Sequence, residues 1–227
     1  TYAYQEAPKT EESASNYQHS LDELKEYSDL YDIYNNYAGI NNLKTINDNA
    51  GIAPVKVDRK IIDMLNLAKQ FYTYSEGEFD ITMGSVLKIW HTYREDGIKL
   101  NEQGKNAPVP TAAELQAVST QHGWDKVIID NDADTVFITD ANVSLDVGGI
   151  AKGYAAEQIS AELDHKGIGG GYLNVGRNIR LLGSKIDGGT WRIGVTNPSS
   201  DTGDSLVAID VPPSYSVVTS GDYERYY

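Results

Sequence analysis

The chain has 227 residues, of which 40% are hydrophobic and 23% are charged, as in a folded globular protein of one or two domains. A formal net charge of -14 at pH 7 argues against nucleic-acid binding, which needs a basic surface. There is no cysteine, which excludes disulfide frameworks and thiolate metal sites, and no apolar run reaches the length of a membrane span. The lack of cysteine also fits export to an oxidising compartment.

The first third of the chain predicts a strand, two helices and a loop. Residues 1–6 alternate weakly and predict the strand, and apolar residues at spacings of three or four predict a helix over Glu11–Tyr37. The segment 35–51 is rich in Asn and Gly and predicts a loop. The second helix is predicted over Val57–Ser75, with Asp58 as its N-cap.

The segment Glu76–His91 reads EGEFDITMGSVLKIWH and predicts a helix end, a short extended piece and a new helix. Phe79–Ile81 is the extended piece, and Thr82 is a suitable cap for the helix after it. Residues 92–110 are polar, contain two glycines and two prolines, and predict an exposed excursion.

Two shorter elements follow. Thr111 and Glu114 have the spacing of a capping box and predict a helix that continues to about Gln121. The β-branched runs 126–130 and 135–139 predict a hairpin.

The central stretch, Ser144–Ser160, reads SLDVGGIAKGYAAEQIS. A predicted strand, Val143–Val147, leads into the pair Gly148–Gly149 and then into a helix over Ile150–Lys166. Two glycines allow a ligand to approach closely, and the start of a helix suits a phosphate. Lys152 opposes the helix dipole, which favours a ligand there. The alternative is a tight turn followed by a solvated surface lysine.

The remainder of the chain predicts strands over Tyr172–Leu182, Thr190–Pro198, Ser205–Val211 and Ser216–Val218. Together the elements predict an α+β protein, a mixed β-sheet core with helices packed against it. We expect one domain over residues 1–227.

The stretch SLDVGGIAKGYAAEQI resembles the signature of the ApbE family, flavin transferases that move FMN from FAD onto a protein. The stretches GEFDITMG, YLNVGRNIRLL, TWRIGVTNP and TSGDYER support the resemblance. Tyr37, about ten residues before the pair Ile46–Asn47, supports it too. Where the family usually has Asn-x-Gly-Gly-Asp, this chain has Arg177 in place of the second glycine and Asn178 in place of the acid. Arginine is a poor substitute if that turn needs a positive φ.

The resemblance implies a flavin site and a metal contact. The implied FAD-binding residues are Tyr37, Phe79, Asp80, Ile81, Asp146, Lys152, Ser220, Tyr223 and Arg225. The backbone oxygen of Gly149 is implied to help hold Mg²⁺. The alternatives are that Tyr37 packs on the core, that Asp80 is a turn or capping acid, and that the Ser-Gly-Asp of TSGDYER is a plain turn.

The activity implied by the resemblance is that of an FAD:protein FMN transferase, an enzyme that links FMN to a Thr or Ser hydroxyl and releases AMP. Three alternatives stay open: hydrolysis of FAD to FMN and AMP, flavin binding without turnover, and a scaffold that binds no flavin. The family pattern overruns the chain at both ends, including a C-terminal segment that helps to hold magnesium, so a fragment or a truncated member is expected, and whether this fragment is active is left open. No residue is assigned as catalytic.

The resemblance also implies a cellular setting. ApbE relatives modify membrane-bound redox subunits, so we expect a target protein in a membrane redox complex. The expected location is extracytoplasmic, on a lipoprotein anchor that lies outside this sequence. The sequence leaves the identity of the target and the oligomeric state open.

Overall fold

A computed structural model describes residues 2–5, 11–185, 187–200 and 203–221. Within these ranges the helices are α1 (Glu11–Leu30), α2 (Leu43–Asp48), α3 (Arg59–Tyr74), α4 (Gly84–Glu102), α5 (Ala112–Val118) and α6 (Ala151–His165). The strands are β1 (Tyr2–Gln5), β2 (Val55–Lys56), β3 (Val127–Asp130), β4 (Thr135–Ile138), β5 (Gly170–Val175), β6 (Asn178–Gly183), β7 (Trp191–Thr196), β8 (Ser205–Val211) and β9 (Ser216–Val218).

The chain divides into two compact units. Among the described residues, the first combines those up to Glu26 with those between 152 and 221, and the second is Tyr27–Ala151. The first holds an antiparallel sheet in the order β1-β5-β6-β9 and the antiparallel pair β7-β8, and the second holds the antiparallel sheet β2-β4-β3. Small sheets beside helices confirm the α+β prediction. A single folding domain over residues 1–227 stays a prediction, since a division by contacts does not test independent folding.

The unit Tyr27–Ala151 closes around aliphatic side chains that are almost fully buried. They are Leu43, Ile46, Ile61, Ile62, Met64, Leu65, Val136, Ile138 and Leu145. Four of them lie on α3, whose predicted N-cap is confirmed because the Asp58 carboxylate accepts the N–H of Lys60. Burial of this many large apolar side chains is the main stabilising contribution to the unit.

In the other unit, one cluster of buried side chains lies between the two sheets. Leu181, Trp191 and Val211 are buried together, and Tyr172 packs edge-on against the Trp191 ring. The indole N–H of Trp191 donates to the carbonyl oxygen of Gly183 at 3.0 Å, so the buried polar end of the side chain is satisfied.

The first predicted helix is too long. It ends at Leu30 instead of Tyr37, because the Asp32 carboxylate accepts the backbone N–H groups of Tyr34 and Asn35. A side-chain turn of this kind competes with helical hydrogen bonding.

The loop predicted over 35–51 is wrong in its second half, which contains α2. The side chain of Asn42 accepts the N–H of Thr45, and the Thr45 hydroxyl accepts the N–H of Asn42. This reciprocal cap uses Asn and Thr instead of the usual Ser/Thr and Glu/Gln, so the sequence pattern does not predict it.

Residues 76–83, here called the motif loop, lead into α4. This helix differs from the prediction at both ends. It starts at Gly84, and its N-cap is Met83 without a side-chain hydrogen bond, so the prediction that Thr82 caps it is wrong. The helix also continues to Glu102, through much of the polar segment predicted as an exposed excursion. Four polar residues of this segment, Arg94, Glu95, Lys99 and Glu102, are good helix formers, so polarity alone does not indicate a loop here.

Two strand predictions also need correction. Val143–Val147 does not form a strand, and its one isolated bridge within the described ranges joins Ser144 to Met83. The strand predicted over Tyr172–Leu182 is the hairpin β5–β6, which turns at Gly176 and Arg177. The predicted strand near the N terminus, the hairpin β3–β4, the capping box of α5 and the extent of α6 are confirmed.

None of the helices in the described part of the chain is long and apolar enough to cross a membrane.

Candidate functional site

In the unit Tyr27–Ala151, the loop before α4 lies alongside the segment that leads to the glycine pair. The N–H of Asp146 donates to the carbonyl oxygen of Ile81 at 2.8 Å, and the N–H of Gly84 donates to that of Ser144 at 3.0 Å. A Cβ atom on Gly84 would lie 2.6 Å from the Ser144 carbonyl oxygen. Gly84, the last residue of GEFDITMG, is therefore needed for contact between two backbones. Two of the stretches that resemble the ApbE signature thus form one structural corner.

The glycine pair is exposed on its outer side and closed on its inner side. The Asp146 carboxylate accepts the N–H of Gly148 at 2.8 Å. A Cβ atom on Gly148 would lie 3.1 Å from that carboxylate, and one on Gly149 would lie 3.2 Å from the Phe79 ring. The N–H of Gly149 has no hydrogen-bond partner among the described residues. The chain's own side chains fill the inner side, and the outer side is open to a ligand.

The carboxylate of Asp80 is buried, with a side-chain exposure of 5%, and is fully hydrogen-bonded. One oxygen accepts the N–H and the hydroxyl of Thr82 at 2.8 and 2.7 Å, and the other lies 3.2 Å from Nδ1 of His122. The Thr82 hydroxyl accepts the N–H of Gly123 at 2.7 Å. Asp80 therefore holds the motif loop to the segment before β3, as a turn acid does. No sequence signal pointed to His122 as its partner.

Tyr37 is paired with an acid on the preceding turn. Its hydroxyl donates to the Asp32 carboxylate at 2.7 Å. This hydrogen bond, followed by burial and the charges of Asp32 and Asp29, raises the pKa of Tyr37. Burial acts to raise the pKa of Asp32 as well, but hydrogen bonds from Asn35, Tyr37 and the backbone outweigh it and leave that pKa below its usual value. The phenol of Tyr37 therefore loses its proton only at a pH above its ordinary range.

In the other unit, the β5–β6 turn packs on the first turn of α6. A Cβ atom on Gly176 would lie 3.8 Å from Cδ of Lys152 and 4.0 Å from its Nζ. Lys152 is exposed and makes no ion pair within the described ranges. The turn needs positive φ at both of its central residues, +58° at Gly176 and +68° at Arg177. Arg177 therefore occupies the left-handed conformation that makes arginine a poor substitute for glycine.

The β5–β6 turn also meets the stretch TSGDYER. The N–H of Arg177 donates to the Asn174 side chain at 3.0 Å, and the N–H of Thr219 donates to the Arg177 carbonyl oxygen at 3.4 Å. Ser220, the next residue, is exposed. The predicted contacts Tyr223 and Arg225 lie outside the described residues.

The structure thus groups the predicted flavin contacts by unit. Phe79, Ile81 and Asp146 meet at the glycine corner, which also carries Gly149. Lys152 and Ser220 belong to the other unit, and there the β5–β6 turn contacts both Lys152 and the residue before Ser220. Whether each of these residues touches FAD stays a prediction.

The metal prediction has less support from the residues present. No group of three or more His, Asp or Glu side chains close enough to hold a cation occurs in the part of the chain that the structure describes. The carbonyl oxygen of Gly149 and the second oxygen of Asp146 are hard donors of the type that Mg²⁺ prefers, but two donors do not make an octahedral site. The described residues therefore do not fit a magnesium site by themselves.

Comparison with known proteins identifies the family. A family model described as the ApbE family matches residues 3–227. This chain belongs to the ApbE family. It is 29% identical over 204 residues to an FAD:protein FMN transferase of Klebsiella pneumoniae, covering 90% of this chain and 58% of the relative. It is 28% identical over 210 residues to one of Vibrio cholerae, covering 92% and 59%.

Solved ApbE structures share the fold. The ApbE protein of Thermotoga maritima superposes with a TM-score of 0.78 at 27% identity, over 97% of this chain and 67% of its own. The flavin transferase ApbE of Vibrio cholerae gives a TM-score of 0.74 at 25% identity, over 99% and 68%. The predictions of the ApbE family and of its fold are confirmed. The chain spans a little under three fifths of the length of the two curated relatives above.

Proposed function

We propose that this ApbE chain forms part of an FAD:protein FMN transferase. In the reaction, the oxygen of a Thr or Ser hydroxyl on a target protein forms a bond to the phosphorus of the FMN half of FAD. The bond between that phosphorus and the bridging oxygen breaks, AMP leaves with the bridging oxygen, and the hydroxyl proton passes to solvent. Catalysis of such a transfer depends on positioning and on neutralising charge.

The observation that carries this proposal is the open glycine corner. The N–H of Gly149 has no hydrogen-bond partner in the described chain, and Phe79 and Asp146 close the inner side of the corner. A backbone N–H beside bare glycines suits a diphosphate oxygen. Lys152 and Ser220, which belong to the other unit, are assigned to FAD from the resemblance to ApbE proteins; Lys152 is exposed and makes no ion pair within the described ranges.

We also propose a metal and a cellular setting. Mg²⁺ would neutralise the diphosphate, with the Gly149 carbonyl oxygen as one ligand. The target would belong to a membrane redox complex, and the location would be extracytoplasmic on a lipoprotein anchor. The lack of cysteine supports a location where thiols would oxidise.

The test is made on the full natural protein and has two stages. Calorimetric titration with FAD, with and without Mg²⁺, measures binding, and mass spectrometry of a Thr-containing target peptide measures transfer. We expect FAD binding, transfer of FMN and release of AMP. AMP release at the same rate without peptide would replace the transferase with an FAD hydrolase, binding without either product would leave a flavin-binding protein, and no binding would end the proposal.

Variants assign the roles of Asp146 and Lys152. We expect Lys152→Ala to weaken FAD binding about tenfold or more, because a charge-assisted contact to phosphate is lost. Asp146→Asn retains an acceptor for the N–H of Gly148 and is expected to reduce the transfer rate. The matched controls are Lys166→Ala, an exposed lysine just beyond the other end of α6, and Asp140→Asn, whose carboxylate accepts the N–H two residues on, as that of Asp146 does. Unchanged binding and rates in both test variants would remove these roles.

A further inference from the structure

We propose that Asn47 is a positioning residue that fixes the backbone before the glycine pair and so presents Asp146 to FAD. For its ligand, this inference rests on the proposed function. For its geometry, it rests on hydrogen bonds within the unit Tyr27–Ala151.

Asn47 holds the backbone of Leu145 at two points. Its Nδ2 donates to the Leu145 carbonyl oxygen at 3.0 Å, and the Leu145 N–H donates to its Oδ1 at 2.8 Å. The two residues are 98 positions apart in the chain. A side-chain amide that makes both bonds has only one usable orientation, since turning it over would set donor against donor and acceptor against acceptor.

The amide takes the place of a neighbouring strand. Ser144 accepts a hydrogen bond from Gly84, and Asp146 donates one to Ile81, so residues on either side of Leu145 bond to the loop before α4. In an extended chain, the backbone groups of successive residues point to opposite sides. The N–H and C=O of Leu145 therefore point away from that loop, and Asn47 satisfies both. Without it, both groups of a residue with 0% exposure would lose their partner.

Asn47 is itself held firmly. It lies on α2, where Leu43 and Ile46 have exposures of 0% and 1%, and the cap formed by Asn42 and Thr45 fixes the start of this helix. The short helix is thus anchored in the core by two side chains that precede Asn47, one of them its immediate neighbour. An anchored donor and acceptor pair fixes the position of what it binds, so we infer that Leu145, and with it Asp146 and the glycine pair, takes its position from α2.

The decisive variant is Asn47→Asp. A protonated carboxyl group offers one donor and one acceptor and can reproduce both bonds, whereas an ionised one offers only acceptors and repels the Leu145 carbonyl oxygen. The neighbouring oxygen disfavours the ionised form, so the pKa of the introduced carboxyl lies above the ordinary value of about 3.9. Relative to the wild type, FAD affinity of this variant should therefore rise as the pH is lowered from about 8 towards about 5, and at about pH 8 it should be about tenfold or more weaker, the size of one lost hydrogen bond with repulsion.

Asn49→Asp is the matched control. Asn49 lies two residues further on and is half-buried, and its Nδ2 donates to the Thr45 carbonyl oxygen at 2.8 Å without reaching Leu145. The same charge is introduced next to the same helix. The ratio of its FAD affinity to that of the wild type should stay constant from about pH 5 to about pH 8, because the backbone before the glycine pair keeps both of its bonds.

A second readout needs no nucleotide. Amide hydrogen exchange at Leu145 and Asp146 should be faster in Asn47→Asp than in the wild type at the higher pH and similar at the lower pH, with the control variant unchanged throughout. If Asn47→Asp does not fold above about pH 7, Asn47→Ser serves instead. Its shorter hydroxyl cannot make both bonds, and it should bind FAD several-fold more weakly at every pH.

The outcomes separate this inference from the proposed function. Failure of the wild type to bind FAD ends the proposed function and the use of Asn47 with it. Binding by the wild type together with an Asn47→Asp affinity that tracks it at every pH overturns the positioning role alone. Faster exchange at Leu145 with unchanged affinity would also overturn it, because the bonds would then serve the fold and not the ligand.

Discussion

Gly84→Ala is expected to destabilise the protein because two backbones meet at this residue. The added methyl group would lie 2.6 Å from both the carbonyl oxygen and the hydroxyl of Ser144, and 2.8 Å from its carbonyl carbon. That is about 0.8 Å inside the 3.4 Å at which ordinary contact begins. The hydroxyl can rotate away, but the carbonyl group is part of a segment that is hydrogen-bonded on both sides.

The magnitude follows from three contributions. Overpacking against a fixed neighbour costs about 1–3 kcal/mol. Loss of the hydrogen bond from Gly84 to Ser144 adds about 1 kcal/mol. Replacing glycine by alanine at the start of α4 returns up to about 1 kcal/mol of helix propensity. The net loss is about 2 kcal/mol, which lowers the melting temperature by about 4–8 °C in a chain of this size.

Thermal unfolding followed by calorimetry measures the shift. Gly169→Ala is the matched control, since a Cβ atom on Gly169 meets nothing within 4 Å and its φ is not positive. This control should unfold at the wild-type temperature or slightly above it, because alanine restricts the unfolded chain. If Gly84→Ala has the same melting temperature as the control, the backbone contact does not constrain the motif loop and the prediction is wrong.

Three further predictions concern backbone strain, a shifted pKa and a buried hydroxyl. Arg177→Gly should raise the melting temperature by a few degrees, since relief of a left-handed residue contributes about 1 kcal/mol, and an unchanged or lower value in a thermal scan would contradict this. Asp32→Asn should lower the pKa of Tyr37 towards its ordinary value, as read by NMR of tyrosine labelled at Cζ. Because the pKa of Tyr37 is raised in the folded protein, the hydrogen bond stabilises the fold below about pH 10, and this contribution is lost as the pH rises through the pKa of the folded state. An unchanged Tyr37 pKa in Asp32→Asn would refute the pairing. Thr82→Val should cost about 1–3 kcal/mol in denaturant unfolding, because the N–H of Gly123 loses its partner and the buried Asp80 carboxylate loses one of its three hydrogen bonds. Thr73→Val on the exposed side of α3 should cost far less, and equal losses would disprove the assignment.

Most helices and strands can be predicted from the sequence, because apolar spacing and capping residues are local features. The stripe of α3 and the N-cap Asp58 follow from spacing and from one side chain, and both are present in the fold. The predictions were wrong where a side chain makes a hydrogen bond to the backbone that its residue type does not indicate. Asn42 and Thr45 open a helix inside a segment whose composition is that of a loop, and Asp32 stops a helix whose apolar spacing continues.

Only part of the candidate site can be predicted from the sequence. The glycine pair and the motif loop around Phe79 stand out in the sequence, and the fold places them in one corner. Asn47 is visible in the sequence only as half of an Ile-Asn pair, and His122 has no signal at all, because their partners lie 98 and 42 residues away in the chain. A hydrogen bond between distant residues leaves no periodic trace in either segment.

Residue types at fixed local spacings are enough to predict the family, the α+β class and the position of the glycine pair. The roles of the glycines follow only from contacts made in the folded chain. The structure shows the Gly84 backbone against Ser144, the Phe79 ring against Gly149, and positive φ at Arg177. Such facts depend on which surfaces meet when the chain closes, and that is a property of the whole fold and not of any one stretch.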